Sequence, residues 1–131
     1  MILLDTDMLI GIAAGKRLHA EARAVLATRP PLCVSAATAW ELGLIATQTG
    51  RTGTMLGDAR RWCAAALRRS TLDVLPVTAE IALEAAYRPG KFHNDFADRW
   101  IVATARIEGC ALMTSNSAIL AYADAGHVRA I

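Results

Sequence analysis

At 131 residues, the chain is long enough for one domain with one core and too short for two ordinary ones. Apolar residues make up 54% and charged residues 20%, which excludes an extended disordered chain and leaves some apolar surface for a partner. A net charge of +2 carries little information about nucleic acid.

Ile2-Leu3-Leu4 is a short apolar run, suited to a strand buried on both faces of a parallel sheet. It meets Asp5-Thr6-Asp7, and Met8 to Ala14 starts a helix that Gly15 ends. His19 to Ala27 reads as a second helix, broken by Arg29-Pro30-Pro31. Leu32-Cys33-Val34 is the next strand, and Ser35 suits the N-cap of a helix over 36–46. Residues 47–57 read as a flexible, Gly-rich connection without a phosphate-loop pattern. Asp58 to Arg69 is amphipathic, with Trp62, Cys63, Ala66 and Leu67 inward and Arg60, Arg61, Arg68 and Arg69 outward. Val74-Leu75-Pro76-Val77 is strand-like, with Pro76 marking an edge or an ending. Thr78 caps a helix to about Tyr87. A helix over 95–108 follows, then a strand over 110–114, a helix from Ser115-Asn116 to Ala125, and a short last strand over 127–131. Strands alternating with helices predict one α/β domain over 1–131, a three-layer α/β/α sandwich on a mainly parallel sheet.

The cysteines, Cys33, Cys63 and Cys110, are odd in number, widely spaced and without a CxxC pair. That argues against a disulfide framework or a zinc site and for a reducing cytoplasm. No apolar run reaches the ~18 residues of a membrane span. Met1-Ile2-Leu3-Leu4-Asp5 lacks the basic start of a secretory signal. A cytoplasmic protein is expected.

The stretch His93-Asn94-Asp95-Phe96-Ala97-Asp98-Arg99-Trp100 places two acids three residues apart at a helix start, on one face. Taken alone, this is ordinary capping chemistry. Other acids occupy comparable places in their βα units. Asp5 follows the first strand directly, and Glu41 lies early in the helix leaving the second. Thr114 and Asn116 lie at the end of a later strand. In an open parallel sheet, functional groups collect beyond the C-terminal strand ends. Glu41, within Ala39-Trp40-Glu41-Leu42-Gly43-Leu44-Ile45, either faces solvent, pairs with an arginine or belongs to such a site. Carboxylates drawn together without partners repel and raise one another's pKa. A hard divalent cation such as Mg²⁺ resolves that and can activate water against a phosphodiester.

With these residues assembled, the chain resembles PIN-domain ribonucleases, specifically the VapC-type toxins of VapBC toxin–antitoxin pairs. The resemblance spans essentially the whole sequence. It rests on Leu3-Leu4-Asp5-Thr6, Ser35 through Trp40-Glu41-Leu42, His93-x-Asp95-x-x-Asp98-Arg99 with Ile101-Val102-Ala103-Thr104-Ala105, and Leu112-Met113-Thr114-Ser115-Asn116. It implies a Mg²⁺- or Mn²⁺-dependent endoribonuclease that leaves 5′-phosphate and 3′-hydroxyl ends. It also implies a cognate VapB-type antitoxin and a homodimer. Asp5, Glu41, Asp95 and Asp98 match the metal-binding acids, with Asp5 and Asp98 as direct ligands and Glu41 and Asp95 binding metal or its waters. Thr6, Thr114, Asn116 and Arg99 match supporting or substrate-facing positions. Asn116 stands where relatives commonly carry another Asp, which weakens a second cation more than a first. Two other readings remain: an RNA-binding or interaction module without activity, and an aspartyl-phosphate phosphatase using Asp5. The apolar residues Trp40, Leu44, Ile45 and Trp62 are expected to serve the core, the dimer or the antitoxin.

Overall fold

The computed structural model describes residues 1–47, 59–68 and 72–131. Four short strands, β1 (Ile2–Leu4), β2 (Leu32–Ser35), β3 (Leu72–Leu75) and β4 (Ala111–Met113), form a parallel sheet in the order β3-β2-β1-β4. The strand sequences explain the layers. Successive side chains point to opposite faces. Leu3, Cys33 and Leu112 therefore pack on one side, and Ile2, Leu4, Val34 and Met113 on the other, all buried. A sheet apolar on both faces needs helices on both.

The first face is covered by α6 (Phe96–Ile107) and α7 (Ser117–Asp124), through Ile101, Val102, Ala105, Ile119 and Tyr122. The second is covered by α1 (Thr6–Ala13) and α2 (Ala20–Ala27), through Met8, Leu9 and Ala22, with Trp62 of α4 (Ala59–Leu67) against the same cluster. The helix leaving β2, α3 (Ala36–Thr47), serves both, with Ala37 in the first cluster and Leu42 in the second. Outside these lies α5 (Ala79–Tyr87), packed on α6 through Ile81, Ala85 and Ala103. The expected α/β/α sandwich is observed.

Several boundaries differ from the sequence reading, each for a local reason. β3 spans Leu72–Leu75 and stops before Pro76, which has no N–H to continue a ladder; the strand is also the sheet edge. Ser35 closes β2, while its hydroxyl still accepts from the Ala37 N–H at 3.2 Å, so it does a cap's work from inside the strand. α3 continues through Thr47. The expected strand over 127–131 is reduced to one bridge between Leu112 and Ala130, reached after Gly126 turns the chain at φ 82°. Thr78 caps α5 as expected, accepting from the Ile81 N–H at 3.2 Å. In α4, Trp62 is half-buried, Ala66 is buried, and Arg61 and Arg68 are exposed. The side chains of Arg60, Cys63, Leu67 and Arg69, and the connection over 48–57, lie outside what is described. No helix among the described residues is long and apolar enough to cross a membrane.

Candidate active site

The strand order fixes where chemistry collects. From β1 the chain builds outward through β2 to β3, then returns to place β4 on the other flank of β1. The sequence of connections therefore reverses between β1 and β4, and the crevice beyond their C-terminal ends is the favoured ligand position. Leu4 pairs with Met113, so the next residues along, Asp5 and Thr114, stand side by side at that crevice. Both are buried. The Thr114 hydroxyl donates to Asp5 Oδ2 at 2.6 Å, and the Thr6 N–H donates to Asp5 Oδ1 at 2.8 Å. Asp5 is at once the N-cap of α1 and a carboxylate held from two sides.

Asp98 comes from the first turn of α6 and is buried. Its Oδ2 lies 2.7 Å from Asn116 Nδ2 and 3.0 Å from His93 Nε2. Asp95 is the N-cap of α6; its Oδ1 accepts from the Asp98 N–H at 3.2 Å. The capping role expected of Asp95 is thus real, and it coexists with a place beside the other acids. The loop ahead of α6 is itself fixed. Arg88 donates from Nη2 to the carbonyls of Phe92 and His93, at 2.9 and 3.3 Å. Gly90 sits at φ 71°, and a Cβ there would meet His127 Nε2 at 2.5 Å, so both the turn and the close approach require glycine.

Glu41 reaches the same place from α3. It is half-buried, and its Oε2 is buried with no hydrogen-bond partner among the described residues. Together with Asp95 it opens into a cleft of about 340 Å³, whose rim includes Trp40 and Phe96, 46% and 63% exposed. Burial pushes the Glu41 carboxyl up to about 7; the Thr6 hydroxyl opposes this, and the charges of Asp5, Asp98 and Asp95 add to it. Burial likewise pushes Asp98 up to about 6, with Asp5 and Asp95 raising it further and His93 and Asn116 opposing. Asp5 is also raised, first by burial; Thr114 and the Thr6 N–H oppose that, while Asp7 and Asp95 reinforce it. Each of these three carboxyls feels at least one of the others or Asp95, which places all four in one electrostatic neighbourhood.

Among the described residues, no group of three or more His, Cys, Asp or Glu is drawn into a ready-made metal cage. The Asp5 carboxylate and Asp95 Oδ1 are engaged by protein donors. The donor set nevertheless fits a hard divalent cation. It is all carboxylate, it is destabilised by mutual repulsion, and it contains an orphaned buried oxygen on Glu41.

The remaining expected residues have definite places. The Thr6 hydroxyl donates to Thr38 Oγ1 at 3.3 Å, linking α1 to α3. Arg99 turns its Nε to the Ala85 carbonyl at 3.1 Å, tying α6 to α5. Asp7 is exposed, whereas Asp5 and Asp98 are buried. The sequence reading missed the contacts of His93 and Asn116 with Asp98, which cross 5 and 18 residues and follow no helical period. It also missed the buried pair Ser35–Thr104, with their hydroxyls 3.0 Å apart. A polar residue on each buried face, in β2 and in α6, was the available signal.

No curated protein matches the sequence. Among solved structures, the chain is similar to VapBC2 from Rickettsia felis bound to a fragment of its promoter DNA. The TM-score is 0.70 and the identity 16%, over 100% of this chain and 98% of that one. It is similar to a toxin–antitoxin complex from Klebsiella pneumoniae, with TM-score 0.63 and 25% identity over 89% and 88% of the two chains. It also resembles the Sarcin-Ricin loop cleaving toxin VapC20 of Mycobacterium tuberculosis, with TM-score 0.64 and 22% identity over 98% and 97%. A family model of the PIN domain matches residues 2–125, the span that carries all of the acids just described, and the chain belongs to the PIN-domain family.

Proposed function

We propose that the chain, one PIN domain over 1–131, is a metal-dependent endoribonuclease and the toxin of a toxin–antitoxin pair. The observation that supports this reading is that Asp5, Glu41, Asp95 and Asp98 feel one another's charge, with one Glu41 oxygen buried and without a partner among the described residues. Asp5 and Asp98 would hold a Mg²⁺ or Mn²⁺ ion, with Glu41 and Asp95 binding it or its waters. When bound, the cation supplies a more acidic water and neutralises charge on the phosphodiester. The protein's own part is positional. Thr114 fixes the Asp5 carboxylate, and Glu41 orients the attacking water from the cleft. Attack forms the new O–P bond and breaks the bond to the 3′ oxygen, leaving 5′-phosphate and 3′-hydroxyl ends. Trp40 and Phe96 offer exposed rings on which unpaired bases stack, which suits single-stranded or looped RNA.

The partner is a VapB-type antitoxin, a reading supported by the toxin–antitoxin complexes among the similar structures. The protein works as a homodimer in the cytoplasm; the buried, unpaired Cys33 and Cys110 suit a reducing compartment. The test is cleavage of RNA by the purified protein with Mg²⁺ or Mn²⁺. Asp5→Asn should lower the rate by about 100-fold or more, as expected when electrostatic stabilisation of the reacting phosphate is lost. Cleavage that survives both chelation and Asp5→Asn sinks the reading.

A further inference from the structure

Asn116 stands at a position where an acid would add charge to the site, yet its contacts show it serving as a donor. Its Oδ1 accepts from the Ala118 N–H at 2.9 Å, capping α7. That bond sets the direction of the amide, so the NH₂ group faces Asp98 and donates to Oδ2 at 2.7 Å. A second donor meets the same oxygen. His93 Nδ1 accepts from the Asp95 N–H at 3.2 Å, so the ring proton lies on Nε2, 3.0 Å from Asp98 Oδ2. Asp98 Oδ2 is therefore shared by two donors, while no described residue donates to Oδ1.

We propose that Asn116 and His93 act together as a clamp that fixes the Asp98 carboxylate and commits it to cation binding through Oδ1. Both are positioning residues, and the inference rests on the metal-dependent reading above. An Asp at 116 could cap α7 but could not donate to Asp98. A Ser could also cap, with a shorter reach and no amide. The role of Asn116 is thus specific to the carboxamide, whose two ends do different work. His93 has the same division: one nitrogen holds the loop into α6 and the other holds the ligand. Arg88, by gripping the His93 carbonyl, keeps the clamp in place from behind.

The split roles allow a clean test, calorimetric titration of Mn²⁺ into the full chain at pH 7.5. Asn116→Ser keeps a capping oxygen and removes the donor. His93→Asn keeps an acceptor near the Nδ1 position and removes the donor. His93→Gln places an N–H near the Nε2 position. Asn116→Ser and His93→Asn should each weaken Mn²⁺ binding about tenfold, as losses of ligand-orienting hydrogen bonds do, with His93→Gln closer to wild type than to His93→Asn. Wild-type affinity in folded Asn116→Ser and His93→Asn overturns the clamp and leaves the metal site standing. A wild type that binds no Mn²⁺ overturns both. Should Asn116→Ser fail to fold, the histidine pair decides: equal affinities for His93→Asn and His93→Gln overturn the clamp.

Discussion

Among the described residues Glu41 keeps one buried oxygen without a partner; burial pushes its carboxyl up to about 7 and that of Asp98 up to about 6. The ordinary values are 4.5 and 3.8. Both groups are therefore easier to protonate in the folded chain than in the unfolded one. Their contribution to stability is complete below the ordinary carboxylate range and is lost as pH rises through 6 and 7. The metal-free protein should accordingly melt a few degrees lower at pH 8 than at pH 5.5. Glu41→Gln should remove much of that slope and stabilise the metal-free protein at pH 8 by about 1 kcal/mol, a value reduced for the partial exposure of the side chain. A flat melting profile in the wild type, measured in the presence of a chelator, contradicts this. The same displacement links cation binding to protons. Binding requires the charged acids, so Mn²⁺ should release close to one proton per ion at pH 6.5 and far fewer at pH 8. Calorimetry in buffers of different ionisation enthalpy measures the count. It should also raise the melting temperature, and chelation should reverse the rise.

At the scale of elements, the site depends on how α3 and α6 are registered, since Glu41 lies on one and Asp98 on the other. A chain of hydroxyls links the start of α3 to α6, and it is expected to set that register. The Ala37 N–H donates to Ser35 Oγ, whose partner at 3.0 Å is Thr104 Oγ1, and Thr104 donates to the Trp100 carbonyl at 2.7 Å. With Thr104 donating to Trp100, the proton between the two hydroxyls belongs to Ser35. Thr104→Val preserves shape, removes the acceptor and leaves the buried Ser35 hydroxyl without its partner. The expected loss is about 1–3 kcal/mol in denaturant unfolding, together with weaker Mn²⁺ binding than in wild type. A stability change under a few tenths of a kcal/mol would show that the helices are registered by apolar packing alone.

This linkage marks the limit of what was legible in the chain. The alternation of apolar strands and helices announced the parallel sandwich, and the acids after strand ends pointed to a candidate site at one edge. That Asp5, Glu41, Asp95 and Asp98 feel one another's charge agrees with their comparable places early in βα units, which the pattern shows. The hydroxyl chain, the clamp on Asp98 and the free Glu41 oxygen could not. They depend on rotamers and on contacts between elements far apart in sequence, where no period applies. The shift of β3 to Leu72–Leu75 has a simpler cause: the missing N–H of Pro76 ends the ladder, and apolar character alone does not reveal the strand's start.

At the scale of the whole molecule, the question is which apolar surface remains after both sheet faces are covered. The sequence pointed to Trp40, Leu44, Ile45 and Trp62. The structure places Trp62 against the core and leaves Leu44 and Ile45 half-buried, while Trp40 lines the cleft. Apart from Phe96 at the cleft rim, the most exposed large apolar groups lie on α5, where Leu83 is 60% and Tyr87 82% exposed. They are four residues apart and so form one stripe on a helix whose opposite side packs on α6 through Ile81 and Ala85. Such a stripe reads as core in a helical pattern, because an amphipathic helix has only one expected apolar face. Here two sides carry apolar residues, and the outward one is where the proposed homodimer is expected to form. Leu83→Glu with Tyr87→Glu should shift the protein from dimer to monomer at micromolar concentration in multi-angle light scattering. Mn²⁺ affinity should stay within about twofold, since sites without shared partners act nearly independently. A dimer that persists in the double variant moves the interface off α5. A wild type that is monomeric throughout removes the homodimer and leaves the stripe to another protein, for which the antitoxin is the first candidate to titrate.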